Sequence, residues 1–171
     1  QGAVKDIPTI TGADDATALR VGVVVSVYHE AVTDALRRGA VEALVQAGAL
    51  ADRIVVIRVP GAFEVPFAAR RAAETGQFDA LVCLGCIIRG ETPHFNYLAS
   101  AVAHGIGTAS QATGVPISFG VLTTDTYEEA VARAGDGNDN KGWEAAMAAV
   151  QLANVVRSLN RDNRDRRDHD E

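Results

Sequence analysis

At 171 residues the chain is long enough for one domain with a sizeable core. A hydrophobic share of 47% excludes a disordered chain, and aromatics at 5% mean that the core is built largely from small side chains such as Ala and Val. The net charge of −6 argues against nucleic acid as the main partner, and the longest apolar runs are strand-sized, so no membrane span is expected. No signal peptide is visible; because the chain starts at Gln1 rather than Met, a removed leader stays open.

Residues 1–18 are polar and rich in Thr, Asp and Gly, and read as an arm that is loose or docks on a neighbour. Residues 21–27 form an apolar run, expected as a first buried strand. Helical periodicity follows over 31–47, with Val32, Leu36, Ala40, Ala43 and Ala47 on one face and Gly48 as its stop. A second strand is expected over 54–59, a helix over 65–75 ended by Gly76, and a third strand over 80–88. A long alanine-rich helix over 95–111 leads to a fourth strand over 116–122. Asp125 with Glu128 forms a candidate capping box for a helix ending near Gly135. The last helix is expected over 142–159, and 161–171 is a charge-mixed tail with no apolar face, expected to be disordered. One domain is therefore expected over 19–160. Uniformly apolar strands alternating with helices predict a parallel sheet with helices on both faces.

In such a sheet, ligands bind beyond the carboxyl ends of the strands. The ends here carry Tyr28 and His29; then Gly61, Ala62, Phe63 and Glu64; then the stretch LGCIIRGETPHFNY over 84–97; then Thr123, Thr124 and Asp125, with Phe119 on the fourth strand. Arg133 and Lys141 flank the loop before the last helix. The third loop is the richest. It sets Arg89, Thr92, His94 and free N–H groups at a helix start, where a phosphate is favoured, and an imidazole is suited to moving protons near neutral pH. Each residue also has a plainer reading. Tyr28 suits a half-buried cap on the sheet, and Glu64 a favourable carboxylate in a first helical turn. His94 suits a helix-start residue bonded to backbone, and Arg133 and Lys141 suit solvated charges. Cys83 and Cys86 form a C-x-x-C inside an apolar strand. They read as core thiols pointing to opposite faces, not as a redox or zinc pair. The run Asp136–Asn140 resembles a calcium loop, but Lys141 and Met147 stand at required positions.

The segments PGAFEVPFAA (60–69), LGCIIRGETPHFNYLA (84–99), GVPISFGVLTTDTYEEAVARAG (114–135) and NKGWEAAMAAVQLAN (140–154) resemble the 6,7-dimethyl-8-ribityllumazine synthase family in order and spacing. The resemblance implies a three-layer α/β/α sandwich on a four-stranded parallel flavodoxin-like sheet, with an N-terminal strand that can add to a neighbouring subunit. It implies a cytoplasmic transferase of riboflavin biosynthesis that needs no cofactor or metal. That enzyme condenses 5-amino-6-(D-ribitylamino)uracil with 3,4-dihydroxy-2-butanone 4-phosphate. His94 would be the general acid/base. Thr92, the Glu91 N–H and Arg133 would hold phosphate, with Lys141 in support. Tyr28 would stack on the pyrimidine, and Ala62, Phe63 and Glu64, next to Gly61, would take the ribityl chain. Cys86, Ile87 and Ile88 would meet the ring through their backbone, and Phe119 would close the pocket from a neighbouring subunit. The assembly implied is a pentamer or a 60-subunit shell, with no nucleic-acid or membrane partner; the short link from Gly135 to Asn140 favours the shell. A catalytically inactive flavin- or lumazine-binding carrier, or a purely structural shell protein, is the competing reading.

Overall fold

Four apolar runs become four strands. In a computed structural model, which describes residues 5–169, they are β1 (Val21–Ser26), β2 (Ile54–Val59), β3 (Ala80–Ile88) and β4 (Ile117–Thr124). All pair in parallel, in the order β2-β1-β3-β4. Between them run α1 (Glu30–Gln46), α2 (Val65–Glu74) and α3 (His94–Thr113); α4 (Tyr127–Ala132) and α5 (Lys141–Arg167) follow β4. This is the flavodoxin-like order, in which the winding reverses between β1 and β3.

Strand residues alternate between the faces. Val23, Val25, Val82, Leu84 and Cys86 pack with Leu36, Ala40, Ala146 and Val150 from α1 and α5. Val24, Leu81, Cys83, Ile87 and Val121 pack with Val65, Ala69, Val102 and Ile106 from α2 and α3. The result is the expected three-layer α/β/α sandwich, with Cys83 and Cys86 buried, free and on opposite faces. Gly48, Gly76 and Gly114 all take positive φ just past helix ends, as stop residues should.

Three local expectations give way. The cap of α4 is Thr126, not Asp125. Its hydroxyl accepts from the Glu129 N–H at 3.1 Å, and the Glu129 carboxylate reaches back to the Asp125 N–H at 3.4 Å. The Asp125 carboxylate is taken instead by Arg89, at 2.7 Å. Next, α5 does not stop near Leu159 but continues to Arg167, through the stretch expected to be loose. No Gly or Pro follows Gly142 to stop it, and a helix already nucleated extends through Arg-rich sequence at little cost; residues 170–171 lie outside the described residues. Finally, the end of the arm, over 12–18, is tied to its own chain, while residues 5–11 stand exposed as a loose or docking arm would. Ala16 and Leu19 join the core, the Ala16 N–H donates to the Ala47 carbonyl at 2.8 Å, and Asn154 donates to the carbonyls of Ala13 and Asp15, both at 2.8 Å. Residues 1–4 of the arm lie outside the described residues.

Leu36 is fully buried where α1 meets the sheet, whereas Leu159 is exposed on α5. Leu36→Ala should therefore lower unfolding stability by about 3 kcal/mol, and Leu159→Ala by less than about 0.5 kcal/mol. Urea unfolding of the two variants checks the contrast.

Candidate functional site

The carboxyl ends of β2, β1 and β3 meet at the switch point of the sheet, and a cavity of about 780 Å³ opens there. From β1 come Tyr28 and His29. The turn after β2 brings Gly61, Ala62, Phe63 and Glu64, and the end of β3 brings Cys86, Ile87 and Ile88. Gly90, Thr92, His94, Phe95 and Leu98 complete the lining from the next loop and the first turns of α3. A cavity at this position and of this size is where an open parallel sheet takes a small molecule.

Each loop is fixed by local bonds. The chain leaves β1 with the Tyr28 N–H donating to the Pro60 carbonyl at 3.0 Å, which binds the first loop to the second. His29 then adopts φ 59 and ψ 51, the left-handed region, as the N-cap residue of α1. This conformation is uncommon for a residue with a Cβ, and His29 is the sole non-glycine among the described residues with positive φ. Its ring packs edge-on to Tyr28, with centroids 4.5 Å apart. Glu64 is the N-cap residue of α2, and its carboxylate lies against Gly61. Tyr28 is 69% exposed, so it is no half-buried cap on the sheet; its face is available to a ligand.

The third loop is held at its base. The Arg89 N–H donates to the Thr124 carbonyl at 2.9 Å, its guanidinium pairs with Asp125, and it lies 4.5 Å from the centre of the Phe95 ring. Arg89 is thus a clamp between the loops after β3 and β4. The Thr92 hydroxyl accepts weakly from the His94 N–H at 3.4 Å, and His94 opens α3, exposed at the cavity rim. The N–H groups of Gly90, Glu91 and Thr92 have no acceptor among the described residues, which suits an anion at this helix start. Glu91, between Gly90 and Thr92, is not among the residues that line the cavity.

Phe119, Arg133 and Lys141 are not in this cavity. They line a second one of about 610 Å³ along the free edge of β4, together with Thr123, Asn138, Asn140 and Glu144. Arg133 donates to the Glu129 carbonyl at 3.1 Å, and the Lys141 ammonium pairs with Glu144 at 3.1 Å. Within one chain, then, the expected site residues fall into two groups. Sequence reasoning passed over Leu98 and Phe95 as lining residues, although Leu98 stands at i+4 from His94 and therefore shares its helix face. Asn140 was read only as the end of the calcium-like run and of the short link from Gly135.

Sheet order defines a flavodoxin-like α/β protein, and the switch-point cavity with its helix start is the candidate small-molecule site at its carboxyl edge. Residues 18–157 match the family model of 6,7-dimethyl-8-ribityllumazine synthase, and the chain belongs to that family. The family is one of transferases of riboflavin biosynthesis. Among the described residues no helix is long and apolar enough to cross a membrane.

Burial pushes the Cys83 thiol up to about 12 and the Cys86 thiol up to about 11. Neither should react with a disulfide reagent at pH 8 in the native protein, and both should react once it is unfolded. Their raised values also have a stability consequence. The unfolded thiols ionise near 9 while the folded ones stay neutral, so stability is fully present below pH 9 and falls as pH rises toward 11. Replacing Cys83 by Ser or Ala should flatten that alkaline limb in a series of unfolding curves.

Proposed function

We propose that the protein condenses 5-amino-6-(D-ribitylamino)uracil with 3,4-dihydroxy-2-butanone 4-phosphate to give 6,7-dimethyl-8-ribityllumazine, with release of phosphate and water. The observation that carries this reading is the switch-point cavity, which gathers Tyr28, Glu64, Thr92 and His94 from three neighbouring strand ends in a chain of this family. The amine of the uracil attacks the ketone and loses water to form an imine. Phosphate then leaves, and the second amine closes the ring with further loss of water.

Each step moves a proton, and His94, at the cavity rim, is the group we assign to move it. Tyr28 offers an aromatic face to the flat pyrimidine. Glu64 accepts from ribityl hydroxyls beside Gly61, Ala62 and Phe63, and the backbone of Cys86, Ile87 and Ile88 meets the ring edge. Thr92 and the Glu91 N–H begin the phosphate site; Arg133 and Lys141 finish it. Much of the acceleration comes from holding two substrates in register.

The division of the residues between two cavities supports a site shared between subunits, with Phe119, Arg133 and Lys141 arriving from a neighbour. The surface agrees. Phe67 of α2 and Tyr97 of α3 are each 74% exposed, and Phe63 at the cavity is exposed too, an apolar display suited to an interface. β2 is an open edge strand with Val55 and Val56 exposed, while Ile7 and Ile10 of the arm stand exposed in extended chain, which suits strand addition between neighbours. We infer a pentamer, or a shell of pentamers, working in the cytoplasm.

Phosphate release and lumazine absorbance, followed with both substrates, test the reaction. His94→Ala should lower turnover by about 10²-fold; well-folded wild-type protein that makes no lumazine would leave the carrier or shell reading in its place. Subunit mixing tests the shared site. His94→Ala and Arg133→Ala, each impaired alone, should recover about a quarter of wild-type activity when co-assembled at random, because one site in four then joins two intact halves. No recovery would mean that each chain builds its site alone.

A further inference from the structure

The nine-residue stretch from Arg133 to Lys141 is a closed loop. The Lys141 N–H donates to the Arg133 carbonyl at 2.8 Å, and the Gly135 N–H to the Asp139 carbonyl at 3.2 Å. Ala134 and Asn140 form an antiparallel bridge, and Gly137, at φ 60, makes the turn. The two cations therefore stand at the two feet of one small hairpin. Their own side-chain bonds are local, to Glu129 and Glu144, and do not tie the hairpin to the body of the protein.

Asn140 does. It is 3% exposed, and its amide is fully used. Nδ2 donates to the Ala35 carbonyl of α1 at 3.0 Å and to the Gly135 carbonyl at 2.9 Å. Oδ1 accepts from the N–H groups of Gly142 and Trp143 at 2.8 and 3.1 Å. The oxygen half is an ordinary helix cap that Ser, Thr or Asp could supply. The nitrogen half goes beyond capping, because it joins three separate pieces: α1, the hairpin and the start of α5. The packing reserves room for it. A Cβ at Gly39 of α1 would collide with the Asn140 side chain, so that helix keeps a glycine where the amide crosses.

We propose that Asn140 is a positioning residue for the anion-binding pair Arg133 and Lys141, acting through the two bonds of its Nδ2. This rests on the reading above, in which that pair receives the phosphate of the butanone substrate. Freed from α1, the hairpin still caps α5 through a hydroxyl, but the feet that carry the two cations no longer hold one separation and direction.

Asn140→Ser is the test, because it keeps a neutral capping oxygen and removes both donors. Inorganic phosphate, titrated calorimetrically into the assembled protein, should bind about tenfold more weakly to the variant, the equivalent of one or two lost hydrogen bonds. In turnover, KM for the butanone phosphate should rise by a similar factor, while kcat and KM for the uracil stay within about twofold. Equal phosphate affinity in variant and wild type overturns the proposal, as does a loss shared evenly by kcat and both KM values, which a merely structural role would give. Should Asn140→Ser fail to fold, Gly39→Ala displaces the same amide from the α1 side and should give the same selective loss; an unchanged KM for the butanone phosphate there overturns it. Wild-type protein that binds phosphate but forms no lumazine removes the reaction and leaves the titration to decide the role of Asn140. Wild-type protein that binds no phosphate removes the anion site and this proposal with it.

Discussion

Close approach between α5, α1 and the sheet is the constraint on which the rest of the molecule depends. With so few aromatics, the core cannot be filled by large side chains, so the helices must lie almost on the strands. A Cβ on Gly120 of β4 would come within 2.6 Å of the Leu84 side chain and 2.9 Å of the Ala145 Cβ. A Cβ on Gly142 would run into the Leu36 carbonyl. Ala145, Ala146, Ala149 and Ala153 continue the contact along α5. Close-packed interiors transmit small displacements instead of absorbing them. The position of the α5 start, and with it Lys141, is therefore set by the whole α1–α5–sheet contact and not by the loop that precedes it.

Much of this was legible in the sequence because the signals were local. The bounds of β2 and β3 match their apolar runs, which end at Pro60 and at Arg89-Gly90. A parallel sheet covered on both faces leaves no polar alternation to misread. Where the reading slipped, a long-range partner decided the outcome. Asp125 looked like the cap of α4, but Arg89 claims its carboxylate from the end of β3, and the cap moved to Thr126. The arm looked loose because Gly, Asp and Thr dominate it, yet Ala16 joins the core and bonds to Ala47 at the end of α1, a partner that no local pattern encodes. The tail lacked an apolar face and so looked disordered. It is helical because α5 is already nucleated and nothing stops it.

The candidate site shows the same division. Residues at strand ends could be assigned to one edge of the sheet from chain order alone, and those of β1, β2 and β3 do converge. The same argument let Phe119, Arg133 and Lys141 converge there too, since all four strand ends face one edge, and in a single chain they do not: they line a separate cavity. The reason is geometric. β4 is the outer strand of the sheet, so groups on its free edge and on α4 look away from the switch point.

That separation leaves the groups of the proposed site exposed. Tyr28, His94 and Arg133 all stand in solvent on the isolated chain, where water screens charge and weakens every hydrogen bond to a substrate. A phosphate ester and a polyol are well hydrated, and a site open to water gains little by binding them. Excluding that water requires a second wall, and exposed Phe63 at the cavity, with exposed Phe67 on α2 and Tyr97 on α3, are the side chains that a second copy would cover in the proposed assembly. The proposed assembly would do two things at once. It would bury apolar surface that the small core leaves outside, and it would turn an open cleft into an enclosed one in which fixed dipoles and two cations act at full strength. On that proposal the energy of assembly and the electrostatics of the site would draw on the same contacts. The residues assigned to the chemistry would then be inseparable from those, such as Asn140 with its bonds to Ala35 and Gly135, that fix where one chain presents its cations to the next.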